Sequence, residues 1–290
     1  TDVARYRAGD LDMTNYGLPP EQFAKLQKEL PGEVYITRTL ATYSYELNNK
    51  KAPFDNVNIR KALNLSLDRN VITDKVLGQG QTPTYVFTPT YIEEGHLIQQ
   101  PAYSKEPMAQ RNEEAIKLLE EAGYSKANPL KFSILYNTNE NHKKVAIAAA
   151  SMWKANTKGL IDVKLENQEW KTYIDSRRAG RYDAARAGWN ADYNQATTFG
   201  NYFLSNSSNN TAKYANPEYD KAIAESYVAT DAEGRAKAYA KAEEILAKDF
   251  GIVPIFNYVN PRLVKPYVKG YSGKDPQDHI YLRNLYIIKH

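Results

Sequence analysis

The 290-residue chain contains no cysteine, which removes thiolate zinc sites, thiol nucleophiles and disulfides from consideration and leaves the compartment open. Histidine is scarce: His96, His142, His279 and His290 form no His-Glu-x-x-His and no i, i+4 pair, so a metal site would need ligands from distant parts of the chain. There is no Gly-x-Ser-x-Gly elbow, Walker A loop or Gly-x-Gly-x-x-Gly fingerprint. Gly78-Gln-Gly80 follows a helical pattern rather than a strand, the wrong setting for a phosphate cradle. The longest largely apolar stretch, Val145–Trp153, has nine residues with Ser151 among them, too few for a membrane-spanning helix. Neither charge sign dominates, with 38 Lys/Arg interleaved among 34 Asp/Glu, so the basic stripe of a nucleic-acid binder is missing. What remains is globular composition, 42% hydrophobic and 25% charged, long enough for two cores or one large one. The one excess is tyrosine, at 23 copies.

Periodicity predicts helix, short strand, helix and strand up to about Leu40, with Phe23, Leu26 and Leu30 at helical spacing and a β-rich run at Val34–Thr39. A helix carrying Ile59, Ala62 and Leu63 follows, then another from Asp68 to Leu77 ahead of Gly78. Asn112 is expected to cap a helix whose stripe is Ala115, Leu118, Leu119 and Ala122. Next come strand Leu130–Tyr136, a helix with Val145, Ala149, Met152 and Trp153 on one face, strand Ile161–Leu165, helix Trp170–Arg178 and strand Tyr182–Gly188. This alternation argues for βαβ units in an α/β sheet. Two helices follow, the second opened by a capping box at Thr230-Asp-Ala-Glu233, and a short apolar strand at Ile252–Val259. The tyrosine-rich tail lacks local partners. It is therefore expected to return to residues 1–41, making a discontinuous lobe of 1–41 and 260–290 around a central 42–259 domain.

One segment does not read as scaffold: Arg177-Arg178-Ala-Gly-Arg181-Tyr-Asp-Ala-Ala-Arg186-Ala-Gly-Trp189-Asn190-Ala-Asp192-Tyr193. An interior strand should be nearly continuously apolar, yet this one carries Arg186 and ends in Trp189 and Asp192, where open α/β sheets bind ligands. Two readings fit. In one, Arg186 and Asp192 form a structural ion pair and Trp189 packs. In the other, Asp192 receives a cation and Arg186 an anion, while Ala187, Gly188 and Ala191 leave the backbone bare for an extended peptide to add as a strand. Trp170, Trp189 and Tyr258 suit roomy, water-filled side-chain pockets, although each taken singly is a common core residue.

At Asn167-Gln-Glu-Trp170-Lys-Thr, Ala185-Arg-Ala-Gly-Trp-Asn-Ala-Asp-Tyr-Asn194, Ser205-Asn-Ser-Ser-Asn-Asn-Thr-Ala212, Arg262-Leu-Val-Lys-Pro266 and Gly270-Tyr-Ser-Gly-Lys-Asp-Pro276, the chain resembles the periplasmic oligopeptide-binding proteins of bacterial ABC importers. The resemblance runs from Thr1 to His290 and covers the C-terminal part of that family. It implies a type II-like periplasmic-binding-protein lobe, a mixed sheet flanked by helices, plus part of a second lobe whose N-terminal segment this chain lacks. By the same resemblance, Asp192 matches the aspartate that binds the peptide α-ammonium, and Gly188, Trp189 and Asn190 match the segment that pairs with the peptide backbone. Arg186 and His142 match groups that meet the peptide carboxylate, and Arg177, Trp170 and Tyr258 match pocket-lining positions. His142 taken by itself reads as a cap or surface residue at a helix start. Enteric relatives carry a cysteine pair at positions matching Ala41 and Asn190, and a lysine that some use for short peptides matches Leu77.

The resulting expectation is a non-catalytic periplasmic receptor that needs no cofactor and delivers extended oligopeptides to the membrane permease of an ABC importer. The alternatives are a related receptor for murein peptide, haem or glutathione, or a carbohydrate-active hydrolase whose two acids are hidden in the sequence. A free Asp192 carboxylate is expected to be hydrated or to have a raised pKa. The unpaired sheet edge of 1–41 and 260–290 is expected to invite dimerisation.

Overall fold

The structure, a computed structural model, describes residues 2–15 and 17–289. Its centre is a six-stranded mixed sheet in the order β2-β6-β1-β5-β3-β4, where β1 is Val34–Leu47, β2 Thr82–Pro83, β3 Leu130–Asn137, β4 Ile161–Gln168, β5 Ala184–Asn190 and β6 Ile252–Leu263. β1 runs antiparallel to both β5 and β6, and β3 runs parallel to β4 and β5. The parallel strands need crossovers, supplied by two helices: Glu140–Asn156 between β3 and β4, and Trp170–Arg178 between β4 and β5. The first is opened by Asn139, whose side chain accepts from the backbone N–H groups of Asn141 and His142, as an N-cap should.

Side chains alternate across a strand, so β1 supplies both faces of the sheet. Tyr43, Tyr45 and Leu47 enter one core with Trp153, Phe132 and Phe256. The other face is covered by a second core that includes Phe87, Phe199, Tyr202, Phe203 and Tyr239. A third, smaller core joins the helices Asp2–Ala8 and Pro20–Glu29 to Leu263 at the end of β6. The tail meets this part of the chain: Met13 bridges Val264, Lys265 N donates to Asp12 O, and the rings of Tyr35 and Tyr271 lie 5.2 Å apart. It also touches the cleft region, where Leu40 N donates to Pro276 O at 2.8 Å.

Several expected boundaries move, for physical reasons. β1 runs on to Leu47 because Thr42, Ser44 and Glu46, which look like a wet face, are buried beneath the second core. β6 continues through Pro261 to Leu263 because β1 pairs with it along both halves, across a register shift between Arg38 and Thr42. β5 lies two residues later than its pattern suggests, since Ala184 to Asn190 are the residues in register with β1. Asn112 lies inside helix Met108–Glu121, which starts just after Pro107, where the residue before it need not be a side-chain cap. The cap of helix Ala232–Lys248 is Asp231, accepting from Gly234 N, rather than Thr230. Gly78 ends a π-helical turn, Val71–Leu77, at φ 64°, a left-handed conformation suited to glycine.

Ala41 and Asn190 are direct partners in the β1–β5 register. They form a non-hydrogen-bonded pair, where side chains of an antiparallel ladder come closest. Oxidation of an Ala41→Cys, Asn190→Cys double variant is expected to give quantitative intramolecular crosslinking, read as loss of both free thiols and of the two thiol hydrogens from the chain mass, with no covalent link between chains. Two persistent thiols would place the register elsewhere.

Candidate functional site

β5 is unusual among the interior strands because one of its backbone edges becomes free. On the β1 side, Asn48 N donates to Asp183 O at 3.0 Å and Ala191 N to Leu40 O at 2.8 Å. Hydrogen bonding alternates along an antiparallel ladder, so Ala185, Ala187 and Trp189 bond β1 while Ala184, Arg186, Gly188 and Asn190 turn their N–H and C=O groups outward. β3 pairs with Ala184 and Ala185 and then diverges. Among the described residues no strand covers Arg186 to Asn190 on that side; Arg186 O accepts instead from the Tyr173 hydroxyl.

The side chains of Arg186 and Asn190 and the bare Cα of Gly188 share one face and line a cleft of about 550 Å³ with Trp170, Tyr258 and Gln277. Gly188 keeps it open: a Cβ there would stand 3.0 Å from Arg186 Nη2 and 3.1 Å from the Tyr258 hydroxyl. Arg186 Nη2 donates to that hydroxyl at 2.6 Å, and its guanidinium lies 5.2 Å from the centre of the Tyr43 ring. Its Nε is buried without a hydrogen-bond partner, so this partly buried cation does not use all of its donors. Trp170, at the first turn of its helix, is 57% exposed and stacks on Tyr173.

A second cleft of about 290 Å³ adjoins the first across Tyr258 and Val259 and is lined by Tyr43, Leu77, Gln79, Asn139, Asn141 and His142. His142 is more than a helix cap. Its Nδ1 is buried with no partner, its ring lies 5.6 Å from Tyr43, and burial, with the nearby Arg186 charge, pushes its pKa down to about 3. The neutral ring is favoured by the fold, so its contribution to stability is fully present above the unfolded value near 6.5 and is lost as pH falls towards 3. The melting temperature is therefore expected to drop between pH 6.5 and 5, and His142→Asn to flatten that slope. An unchanged slope in the variant would remove His142 as its source.

Asp192 lies just beyond β5, exposed, so the hydrated case describes its carboxylate. It makes no ion pair with Arg186 among the described residues, and the structural pairing of those two charges is not what the fold builds. The opposite face of β5 holds the remaining candidates. The Trp189 ring packs against Tyr202 at 4.9 Å and its Nε1 donates to Thr198 Oγ1 at 3.3 Å, while its backbone groups bond β1, so neither its ring nor its main chain faces the outward edge. Arg177 is likewise beneath the sheet rather than on the cleft, donating from Nε and Nη2 to the two oxygens of buried Glu46 at 3.1 and 2.9 Å. Tyr202 also donates to Glu46, at 2.7 Å. Burial opposes the charge on Arg177, but the Glu46 carboxylate outweighs it and holds its pKa well above the ordinary arginine value.

Sequence reasoning missed Glu46, Tyr43, Thr198, Gln277 and the amides lining the second cleft. For Glu46 there was a signal, since an acid inside a tyrosine-rich strand must find a partner if the strand is buried. For Gln277 there was none.

An outward backbone edge lies between an exposed carboxylate and a partly buried guanidinium, and the chain belongs to a family of bacterial extracellular solute-binding proteins. Residues 1–211 match bacterial extracellular solute-binding proteins, family 5 Middle. The chain is 97% identical over its whole length to the periplasmic oligopeptide-binding protein OppA of Haemophilus influenzae, and 44% identical over 99% of its length to the periplasmic murein peptide-binding protein MppA of Escherichia coli. It spans about half of these relatives, 54% and 52% of their lengths. The crystal structure of Haemophilus influenzae OppA in complex with RPPGFSPFR superposes with a TM-score of 0.92 at 96% identity, over 99% of this chain and 56% of that one. The Escherichia coli murein tripeptide binding protein gives 0.89 at 43% identity, over 100% and 56%. The relatives are binding proteins and the fold is of the expected mixed α/β type.

Proposed function

We propose that the chain forms one wall of a periplasmic, non-catalytic oligopeptide receptor serving the permease of an ABC importer. The observation that carries this reading is the open edge of β5, held between Asp192 and Arg186. A peptide whose α-ammonium meets Asp192 and whose carboxylate points towards Arg186 runs antiparallel to β5. Its main chain then bonds the outward groups of Gly188 and Asn190, which read no side-chain identity. Asp192 and Arg186 are six positions apart, or about 20 Å of strand at ~3.4 Å per residue, a span for a short peptide; longer ones extend towards His142. Trp170 and Tyr258 supply amphipathic walls for the ligand side chains.

In the same reading, 42–259 is the peptide-bearing lobe, and 1–41 with 260–290 is part of a second lobe. The contacts of the tail with Asp12, Met13 and Tyr35 support this division, and the remaining length of the relatives supplies the opposing wall. The murein-peptide specificity of a 44% relative is accommodated as a variation in the side-chain pockets. Native mass spectrometry of the chain as purified is expected to show adducts in the mass range of short peptides, released unchanged on denaturation. Ligands of a single non-peptide mass would overturn the assignment.

A further inference from the structure

Asp192 has to hold its carboxylate in one place although it sits in an exposed turn after the sheet has ended. Two side chains fix that turn, one six positions on and one 85 positions away. Thr198, 5% exposed, uses its hydroxyl three ways: Oγ1 accepts from Asp192 N at 3.2 Å and from Trp189 Nε1 at 3.3 Å, and donates to Asp192 Oδ2 at 3.5 Å. A hydroxyl has one proton and two lone pairs, so its whole capacity is spent on orienting Asp192 and the indole that anchors the end of β5. From the other side, Gln277 Nε2 donates to Asp192 O at 3.3 Å. Gln277 is itself tied down, because Asp275 Oδ1 accepts from its N–H at 2.8 Å and the preceding Pro276 O accepts from Leu40 N.

We propose that Thr198 and Gln277 are positioning residues for the ligand-ammonium anchor, and that Gln277 couples the anchor to the tail segment Asp275–Asp278. The inference rests on the peptide-receptor reading and adds what determines its selectivity for a free amine. Neither residue is required to touch the ligand. Thr198 acts from beneath the turn and Gln277 through a main-chain carbonyl, so both operate on the geometry of Asp192 while its charge is unchanged. Oδ1 of Asp192 stays available to the ligand.

The test is calorimetric titration of the full chain and its variants with one pentapeptide as free amine and as N-acetyl derivative. Thr198→Val keeps the shape and loses all three hydrogen bonds, and is expected to weaken free-amine binding about fivefold or more, the scale of a lost net hydrogen bond. Any residual binding of the acetylated peptide is expected to be unmoved. Thr198→Ser keeps the hydroxyl and is expected to restore the parent value. Gln277→Ala, in a surface segment where folding is not at stake, is expected to shift discrimination in the same direction with an unchanged melting temperature. A parent that prefers the free amine, with variants that discriminate as it does, overturns the positioning roles and leaves the receptor reading standing. Equal loss for both peptides would show a general structural effect and overturns them too. A folded parent that binds neither peptide overturns the receptor reading and this inference with it.

Discussion

Asp192→Asn lowers affinity for a free-amine peptide at least tenfold and leaves the folded chain as stable as the parent. The Asp192 carboxylate is exposed, so folding does not depend on its charge. In the proposed complex the ligand covers it and sets an ammonium against it. A charge-assisted hydrogen bond contributes about 1.5–3 kcal/mol, and each ~1.4 kcal/mol is tenfold in affinity. The amide keeps the shape and an acceptor oxygen but lacks the charge, so what remains is main-chain pairing along Gly188 and Asn190. Calorimetry with one peptide on both proteins decides it. Equal affinities would mean that the ammonium is held elsewhere or not at all.

The second large effect is on stability. Arg177→Met is expected to destabilise the chain by roughly 3–5 kcal/mol, the scale for stranding one member of a buried ion pair. Glu46 is fully buried and accepts from Arg177, Tyr202 and Thr211. With the guanidinium gone, its carboxylate keeps two hydroxyl donors and no counter-charge, and must be protonated or drag water into the core. Tyr202 is shared with the Trp189 ring, so the disturbance reaches the underside of β5. Adding Glu46→Gln to Arg177→Met is expected to recover part of the loss, because it removes the stranded charge. Denaturant unfolding of the three variants measures this. A loss below 1 kcal/mol for Arg177→Met would contradict the pairing.

Much of the fold was legible because apolar residues recur with the right period. The helix with Val145, Ala149 and Trp153 on one face, and the strands on either side of it, follow from local pattern alone. β1 was read too short although Thr42-Tyr43-Ser44-Tyr45-Glu46-Leu47 alternates as a strand does; its polar residues look like a wet face, and their burial beneath a second core is a tertiary fact. At the candidate site, the small residues beside Arg186 and Asp192 are the feature the sequence pattern singled out, and among the described residues no strand covers Arg186 to Asn190 on one side. The resemblance, not the residue pattern, promoted His142, whose burial beside Arg186 is a tertiary fact. Arg177 was placed on a pocket wall and is found beneath the sheet, because its partner Glu46 lies 131 positions away. Gln277 was illegible for the same reason, since its contact with Asp192, 85 positions away, exists only after the tail has returned; Thr198 has near partners, but a single threonine carries no pattern.

The central claim is that the free edge of β5 accepts a peptide whose amino terminus is fixed at Asp192. Calorimetric titration of the unsubstituted chain with a tri- to pentapeptide and its N-acetylated counterpart tests it most directly. The free peptide is expected to bind and the acetylated one to fail. Equal binding of the two, or binding of neither by a demonstrably folded chain, would contradict the account.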